Sequence, residues 1–232
     1  MLFARKQALF ENRFDAGRQL APLLDEYKGQ EVIVLAIPNG GVPVGLEVAL
    51  SLDSDFDVVI SRKIPLPLKP EAGFGAVADD GTAIINDDLV RQFNLTTHQI
   101  NYQINLVRVE IRRRTMLYRG NRKPTVLKGK TVIITDDGLA SGYTMKAAVE
   151  SVRKRQPKEI IATVPAASKA AMDLLETTTD RIITRAIGTM PKFFIADFYR
   201  IWYDFSDKEV TRCLEQWRMR KYDSITGPPR KD

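Results

Sequence analysis

The feature that most restricts the fold is the run Val132-Ile133-Ile134-Thr135-Asp136-Asp137-Gly138-Leu139-Ala140-Ser141-Gly142-Tyr143-Thr144. An apolar stretch of strand length ends in two carboxylates and passes through a turn of small residues into a helical pattern. Two further apolar runs, 159–164 and 181–185, follow it, with helical segments near 145–154 and 169–175 between them. Upstream, 32–37 is a buried-strand pattern closed by Pro38-Asn39-Gly40-Gly41, a helix is expected over 42–50, and 57–61 reads as another strand. Strands alternating with helices imply a parallel sheet with right-handed crossovers. The expected architecture is three-layer α/β, a central, mostly parallel sheet of about five strands flanked by helices.

Each part of the run suits a phosphorylated sugar. Backbone amides of Leu139, Ala140, Ser141, Gly142, Tyr143 and Thr144 at a helix N-terminus form a concave donor set for a dianion, and the Ser141 and Thr144 hydroxyls add donors. Gly138 and Gly142 let the main chain approach without a Cβ. Asp136 and Asp137, when ionised, only accept hydrogen bonds, which matches vicinal sugar hydroxyls. Two other readings stand beside this one: Asp-Asp-Gly as a plain turn, the reading preferred for Asp79-Asp80-Gly81, and Asp136 with Asp137 as a magnesium site of phosphatase or receiver type. The glycine- and hydroxyl-rich loop directly after the acids favours phosphate.

Elsewhere, 14–27 reads as an amphipathic helix and 62–75 as a loop with prolines, lysines and no periodicity, of a length usually functional in compact domains. Segments 76–78 and 83–85 suggest a hairpin, followed by a helix near 87 and a charged helix over 97–118. Ser206 and Glu209 spell a capping box, so a last helix begins there and buries Val210, Cys213, Leu214 and Trp217, with fraying expected after 222.

Charge narrows the partners only partly. The 232 residues carry 35 Lys and Arg against 29 Asp and Glu, a formal +6 that could serve nucleic acid, acidic lipid or a phosphate-rich small ligand. One cysteine and one histidine exclude a disulfide framework and a zinc cluster. No uninterrupted apolar stretch reaches membrane-spanning length, and the N-terminus lacks a signal-peptide core, so a cytoplasmic, membrane-free protein is expected. Asn94-Leu95-Thr96 matches a glycosylation acceptor, which without secretion is chance.

The residues 132–144 resemble the signature of the type I phosphoribosyltransferases, in which two acids precede a loop of the form Gly-x-Ala-Ser/Thr-Gly-x-Thr. The resemblance extends to 37–45, Ser61-Arg62-Lys63, Gly75-Ala76-Val77 and 203–210, and covers about 3–217. It implies a type I phosphoribosyltransferase fold in a single domain, 1–222, with a core of about 28–188, a lid hairpin or loop of about 62–86, a small hood and C-terminal helix over 189–222, and a flexible tail, 223–232. It also implies binding of magnesium phosphoribosyl pyrophosphate (PRPP) and transfer of the 5-phosphoribosyl group to a nitrogenous acceptor such as a nucleobase, with release of pyrophosphate. The oxocarbenium-like state of that reaction needs no protein nucleophile.

By the same resemblance, Asp136, Asp137, Arg62 and Lys63 form the catalytic set, with the two acids touching Mg2+ indirectly. Gly138, Leu139, Ala140, Ser141, Gly142, Tyr143 and Thr144 take the 5-phosphate. Pyrophosphate falls to Pro38, Asn39, Gly40 and Gly41, with a cis peptide at Pro38-Asn39, and to Arg62, Lys63 and Lys69. Related sequences often carry Arg at the position of Asn39. Phe193, Phe194, Tyr199 and Trp202 are candidates to stack on the base, and equally candidates for core or dimer contact. A homodimer is the family expectation. The arginine run 108–114, continued by Arg119, Arg122 and Lys123, keeps an alternative open, a non-catalytic regulator that senses PRPP and binds RNA or DNA; a solvated or oligomer-contacting face is its plainer reading, and attraction of the anionic substrate is a third.

Overall fold

The computed structural model describes residues 8–190 and 192–226, with side chains through Lys221. Asn12 caps the first helix, α1 (Arg13–Leu20), by accepting a hydrogen bond from the Asp15 N–H. Pro22 then supplies no donor to continue the α-helical ladder, and the chain tightens into a 3-10 segment, Ala21–Tyr27, where the sequence suggested one continuous helix.

Next come β1 (Val32–Ala36), α2 (Gly41–Leu52) and β2 (Asp55–Val58). A small antiparallel sheet follows, made of β3 (Ser61–Leu66), β4 (Lys69–Ala78) and β5 (Ala83–Ile85). The helices α3 (Asp87–Gln92) and α4 (Thr97–Arg119) lead into β6 (Thr131–Thr135), α5 (Tyr143–Arg153), β7 (Glu159–Ser168), α6 (Lys169–Leu175) and β8 (Arg181–Gly188). A 3-10 turn, Ile195–Phe198, precedes α7 (Asp207–Thr226).

The main sheet is parallel throughout, in the order β2-β1-β6-β7-β8. The three inner strands, β1, β6 and β7, are buried on both faces, which is why they read as unbroken apolar runs. Val34, Ala36 and Ile133 pack with α2 and α7 on one side, while Ile33, Leu35, Val132 and Ile134 meet Met145, Val149 and Val152 of α5 on the other. Ala36 of β1 is in register with Thr135 of β6, so the turns that follow these two strands open at the same carboxyl edge.

Two expectations are corrected here. The aperiodic segment 62–75 is a strand pair, β3 with β4, whose pairing shifts around Pro65. Pro65, Pro67 and Pro70 break the alternation that would have signalled strands, yet Ile64, Leu66 and Phe74 are buried in the main core. The expected strand 57–61 is likewise divided: β2 ends at Val58, and Ser61 already belongs to β3.

The helix ends behave as written in the sequence. Thr96 and Gln99 form a capping box for α4, and Ser206 with Glu209 forms one for α7, whose buried face is Val210, Cys213 and Leu214. Half-buried Trp217 packs edge-on against Phe56 at 6.3 Å. The helix extends to Thr226, into the segment where fraying is expected. The rest of the expected tail, 227–232, and the N-terminal residues 1–7 lie outside the described residues. Among the described residues, no helix is long and apolar enough to cross a membrane.

Candidate active site

Two adjoining cavities open at the carboxyl edge of the sheet. The larger, about 740 Å³, is walled by the turn after β1, the start of β3, one face of α4, and Asp136. The smaller, about 410 Å³, is walled by the loop between β6 and α5 and by Glu71, Ala72 and Gly73 of β4. Lys63, Asp136 and Thr144 line both, so the two form one cleft.

In the smaller cavity the β6–α5 loop is anchored first and donates afterwards. The Leu139 N–H donates to the Ala166 carbonyl at 2.9 Å, and the Leu139 carbonyl accepts from the Ser168 N–H at 2.8 Å. That amide is spent on β7, so the donor set expected from Leu139 onward begins at Ala140. Gly142 adopts φ +81°, a left-handed conformation that turns the chain into α5. The first N–H groups of α5 have no intrahelical acceptor, as at any helix start. The Ser141 and Thr144 hydroxyls have no protein partner among the described residues.

Asp136 and Asp137 meet at the centre of the cleft. The Asp137 N–H donates to Asp136 Oδ1 at 2.8 Å, while Asp137 Oδ2 accepts from Arg13 Nε at 2.8 Å. Arg13 is only 7% exposed; it also donates to the Tyr203 carbonyl and lies 3.8 Å from the Trp202 ring centroid. The Tyr199 hydroxyl donates to the Asp137 carbonyl at 2.7 Å. Burial raises both carboxyls above the usual range, Asp136 the more because the charge of Asp137 adds to it, whereas Arg13 opposes the rise at Asp137.

On the far side, the Pro38-Asn39 peptide is cis. A Cβ on Gly40 would fall 1.9 Å from Asp137 Oδ2, so only glycine lets this turn approach the acids. Gly41 packs behind them against the Asp136 backbone. The Asn39 amide is fully engaged: Nδ2 donates to the Phe205 carbonyl at 2.7 Å and to Asp207 Oδ1 at 3.1 Å, and Oδ1 accepts from Tyr118 at 3.0 Å and from Arg114. Arg62 and Lys63 line the wall as expected, and burial lowers both from their ordinary values. Lys63 Nζ donates to the Glu71 carbonyl.

Several expected residues lie elsewhere. Lys69 sits on the hairpin, 5.7 Å over the Phe93 ring, and is on neither wall. None of Phe193, Phe194, Tyr199 and Trp202 lines either cavity. Phe193 packs on Phe198 at 5.1 Å, Tyr199 is buried behind Asp137, Trp202 covers Arg13, and Phe194 is exposed. Ile195, from the same segment, does reach the smaller cavity. His98 is exposed on α4, and burial pushes the Cys213 thiol up to about 11, away from any nucleophilic role.

Sequence reasoning missed Arg13, and took Glu110 and Arg114 only as members of the charge run 108–114 without placing them on the cleft wall. Arg114 is 14% exposed on the wall of the larger cavity, and its Nε donates to Glu110 at 2.9 Å. The Glu110 and Arg114 spacing of four is the one signal that could have placed them on a common helix face. Two of the arginines read as a charge run, Arg113 and Arg114, are thereby committed to Glu110, Asp207 and Asn39. The cleft therefore presents main-chain donors at one end, two carboxylates in the middle and cations at the other.

A family model described as a phosphoribosyl transferase domain matches residues 8–196. A Mycobacterium tuberculosis H37Rv protein, provisionally named a phosphoribosyl transferase, is 34% identical over 230 residues, covering 97% of this chain and 52% of the relative. Its counterpart in strain CDC 1551 gives the same figures. The chain thus spans about half the length of the curated relatives it matches. The crystal structure of TT1426 from Thermus thermophilus superposes with a TM-score of 0.72 at 30% identity, over 90% of this chain and 98% of that one.

Proposed function

The chain belongs to the phosphoribosyl transferase family, and on that premise we propose that it binds magnesium PRPP and transfers the 5-phosphoribosyl group to a nitrogenous acceptor of the nucleobase class, releasing pyrophosphate. The observation that carries the reading is the β6–α5 turn. Two buried acids are followed, across Gly142, by unpaired helix-start amides and two free hydroxyls, all in the cleft that also holds Arg62 and Lys63.

In this reading the amides of residues 140–144 take the 5-phosphate, and Asp136 and Asp137 accept from the ribose hydroxyls. Arg62 and Lys63, beside the Pro38-Asn39-Gly40 turn, draw off the charge of the leaving pyrophosphate. The hairpin of β3 and β4 roofs the cleft through Lys63 and Gly73, and so excludes water from the sugar cation.

Among the described residues no cluster of three or more acids, histidines and cysteines forms a metal cage. Two adjacent carboxylates, one of them paired with Arg13, fit a magnesium ion held mostly by the ligand's own oxygens and reached by Asp136 or Asp137 through water. Such an ion would neutralise pyrophosphate charge.

The test is pyrophosphate release from magnesium PRPP across a panel of free bases. Turnover with one base supports the transferase. Thermal stabilisation by PRPP with turnover on none would replace it by the ligand-sensing alternative, for which salt-sensitive nucleic-acid affinity is the further check. Within the pocket, Asp137→Asn and Ser141→Ala should each weaken ribose 5-phosphate binding. Unchanged affinity in both would remove the assignment.

A further inference from the structure

Three guanidinium groups converge on one carboxylate at the mouth of the larger cavity. Glu110 Oε1 accepts from Arg114 Nε at 2.9 Å and from Arg113 Nη2 at 2.9 Å, Oε2 accepts from Arg113 Nε at 2.8 Å, and Arg62 Nη1 lies 3.7 Å from Oε1. Arg62, Glu110 and Arg114 all line the cavity, on the side of the Pro38-Asn39-Gly40 turn. Arg113 has a second anion, Asp207 at 2.6 Å, and remains satisfied without Glu110. For Arg62, Glu110 is the one ion-pair partner among the described residues, and at 3.7 Å it is not hydrogen-bonded.

We propose that Glu110 is a built-in counter-anion, holding Arg62 and Arg114 in place while the cleft is empty, and that the diphosphate end of the ligand binds by displacing it. The inference rests on the PRPP reading above and deepens it by adding Arg114 to the binding residues and Glu110 as a positioning residue. A guanidinium presents the same fork of donors to a carboxylate and to a phosphate, so one can replace the other without moving the cations. Three cations against two carboxylates, Glu110 and Asp207, leave a surplus of positive charge that grows once Glu110 is displaced and that a diphosphate satisfies. Asn39 contributes no charge of its own to the turn, and Arg114, hydrogen-bonded to its Oδ1, brings a guanidinium there from α4. Tethered to Asn39 on one side and Glu110 on the other, Arg114 is orientated before the ligand arrives, which lowers the entropic cost of binding.

Calorimetric titration of the full chain with magnesium pyrophosphate, and separately with ribose 5-phosphate, tests this. Glu110→Gln keeps the shape and removes the competitor, so pyrophosphate should bind roughly threefold tighter. Arg114→Gln should weaken it about tenfold or more. Ribose 5-phosphate, held by the other end of the cleft, should change less than twofold in both variants, which also certifies that they fold. Asp204→Asn removes a different acid from the same cavity wall and should have a smaller effect than Glu110→Gln. The inference is overturned if Glu110→Gln leaves pyrophosphate affinity unchanged or lower, if Asp204→Asn matches it, or if wild-type protein fails to bind pyrophosphate. If ribose 5-phosphate does not bind while the pyrophosphate series behaves as stated, the sugar-phosphate reading falls and the counter-anion stands.

Discussion

At the β6–α5 turn the proposed anion-binding groups are main-chain amides contiguous in sequence, whereas beside the β1–α2 turn the charge comes from Arg62 and Lys63 on β3 and Arg114 on α4. The acids at the centre and those among the cations differ as well. Asp136 and Asp137 are pushed up by burial. Glu110 is drawn down to about 2, first by its hydrogen bond from Arg113, and Asp207, despite burial that opposes it, falls to about 2 through hydrogen bonds from Tyr118, Arg113 and Asn39. The centre of the cleft holds negative charge reluctantly, and the cationic end holds it readily. The ligand proposed above, a sugar between two anionic ends, would meet both environments.

The comparison implies opposite responses to pH. A carboxyl raised on folding contributes stability that is present below its unfolded pKa and lost as pH rises through the folded value, and a depressed one contributes stability present above its unfolded pKa and lost as pH falls. Asp136 and Asp137 follow the first rule. Glu110 and Asp207 follow the second, with their contribution disappearing between about 4 and about 2.

The largest effect should come from Arg13→Met, which strands Asp137 in the middle of the cleft. Breaking a buried ion pair from one side costs about 3 kcal/mol or more. Denaturant unfolding showing a loss under about 1 kcal/mol would mean that the acid pair is held without Arg13. Gly40→Ala comes next. Its new Cβ collides with the Asp137 carboxylate, and overpacking of this kind costs about 1–3 kcal/mol and should weaken both ligand ends together. An alanine variant of native stability would show that the two turns do not depend on each other.

A smaller change is expected from Asp136→Asn. The variant should gain on wild type as pH rises from 4 to 8, because the cost of ionising the largely buried acid is gone. A difference that stays flat with pH in thermal melts would contradict the burial argument. Smallest of all is Arg112→Ala, on the exposed face of α4. Pyrophosphate affinity should move less than twofold, and a loss as large as that of Arg114→Gln would make the whole arginine run, rather than its cleft-facing member, the binding surface.

Much of the fold was legible because its signals are local. The strands β6, β7 and β8 and the helix α6 follow from apolar runs and their spacing, and the capping box at Ser206 starts α7. The β3–β4 pair was hidden because Pro65, Pro67 and Pro70 erase the period-2 pattern while the strands still bury Ile64 and Phe74. Arg13 was hidden for a different reason. Beside the Asn12 cap it reads as an ordinary helix-start residue, and its partner Asp137 is 124 positions away. Of the aromatic segment 193–203, Tyr199 and Trp202 support Asp137 and Arg13 from behind instead of lining the cleft, and only Ile195 reaches it.

The amino-acid sequence alone determined the β6–α5 turn and the parallel sheet that carries it, since a strand, two acids, a glycine-permitted bend and a helix start are all settled by neighbouring residues. Tertiary structure decided which charges meet. Arg13 reaches Asp137, Arg114 reaches Asn39, and Glu110 gathers Arg62 only after α1, α4 and β3 have docked on the sheet. Long-range electrostatic pairs depend on where whole elements come to rest, and no local propensity encodes that.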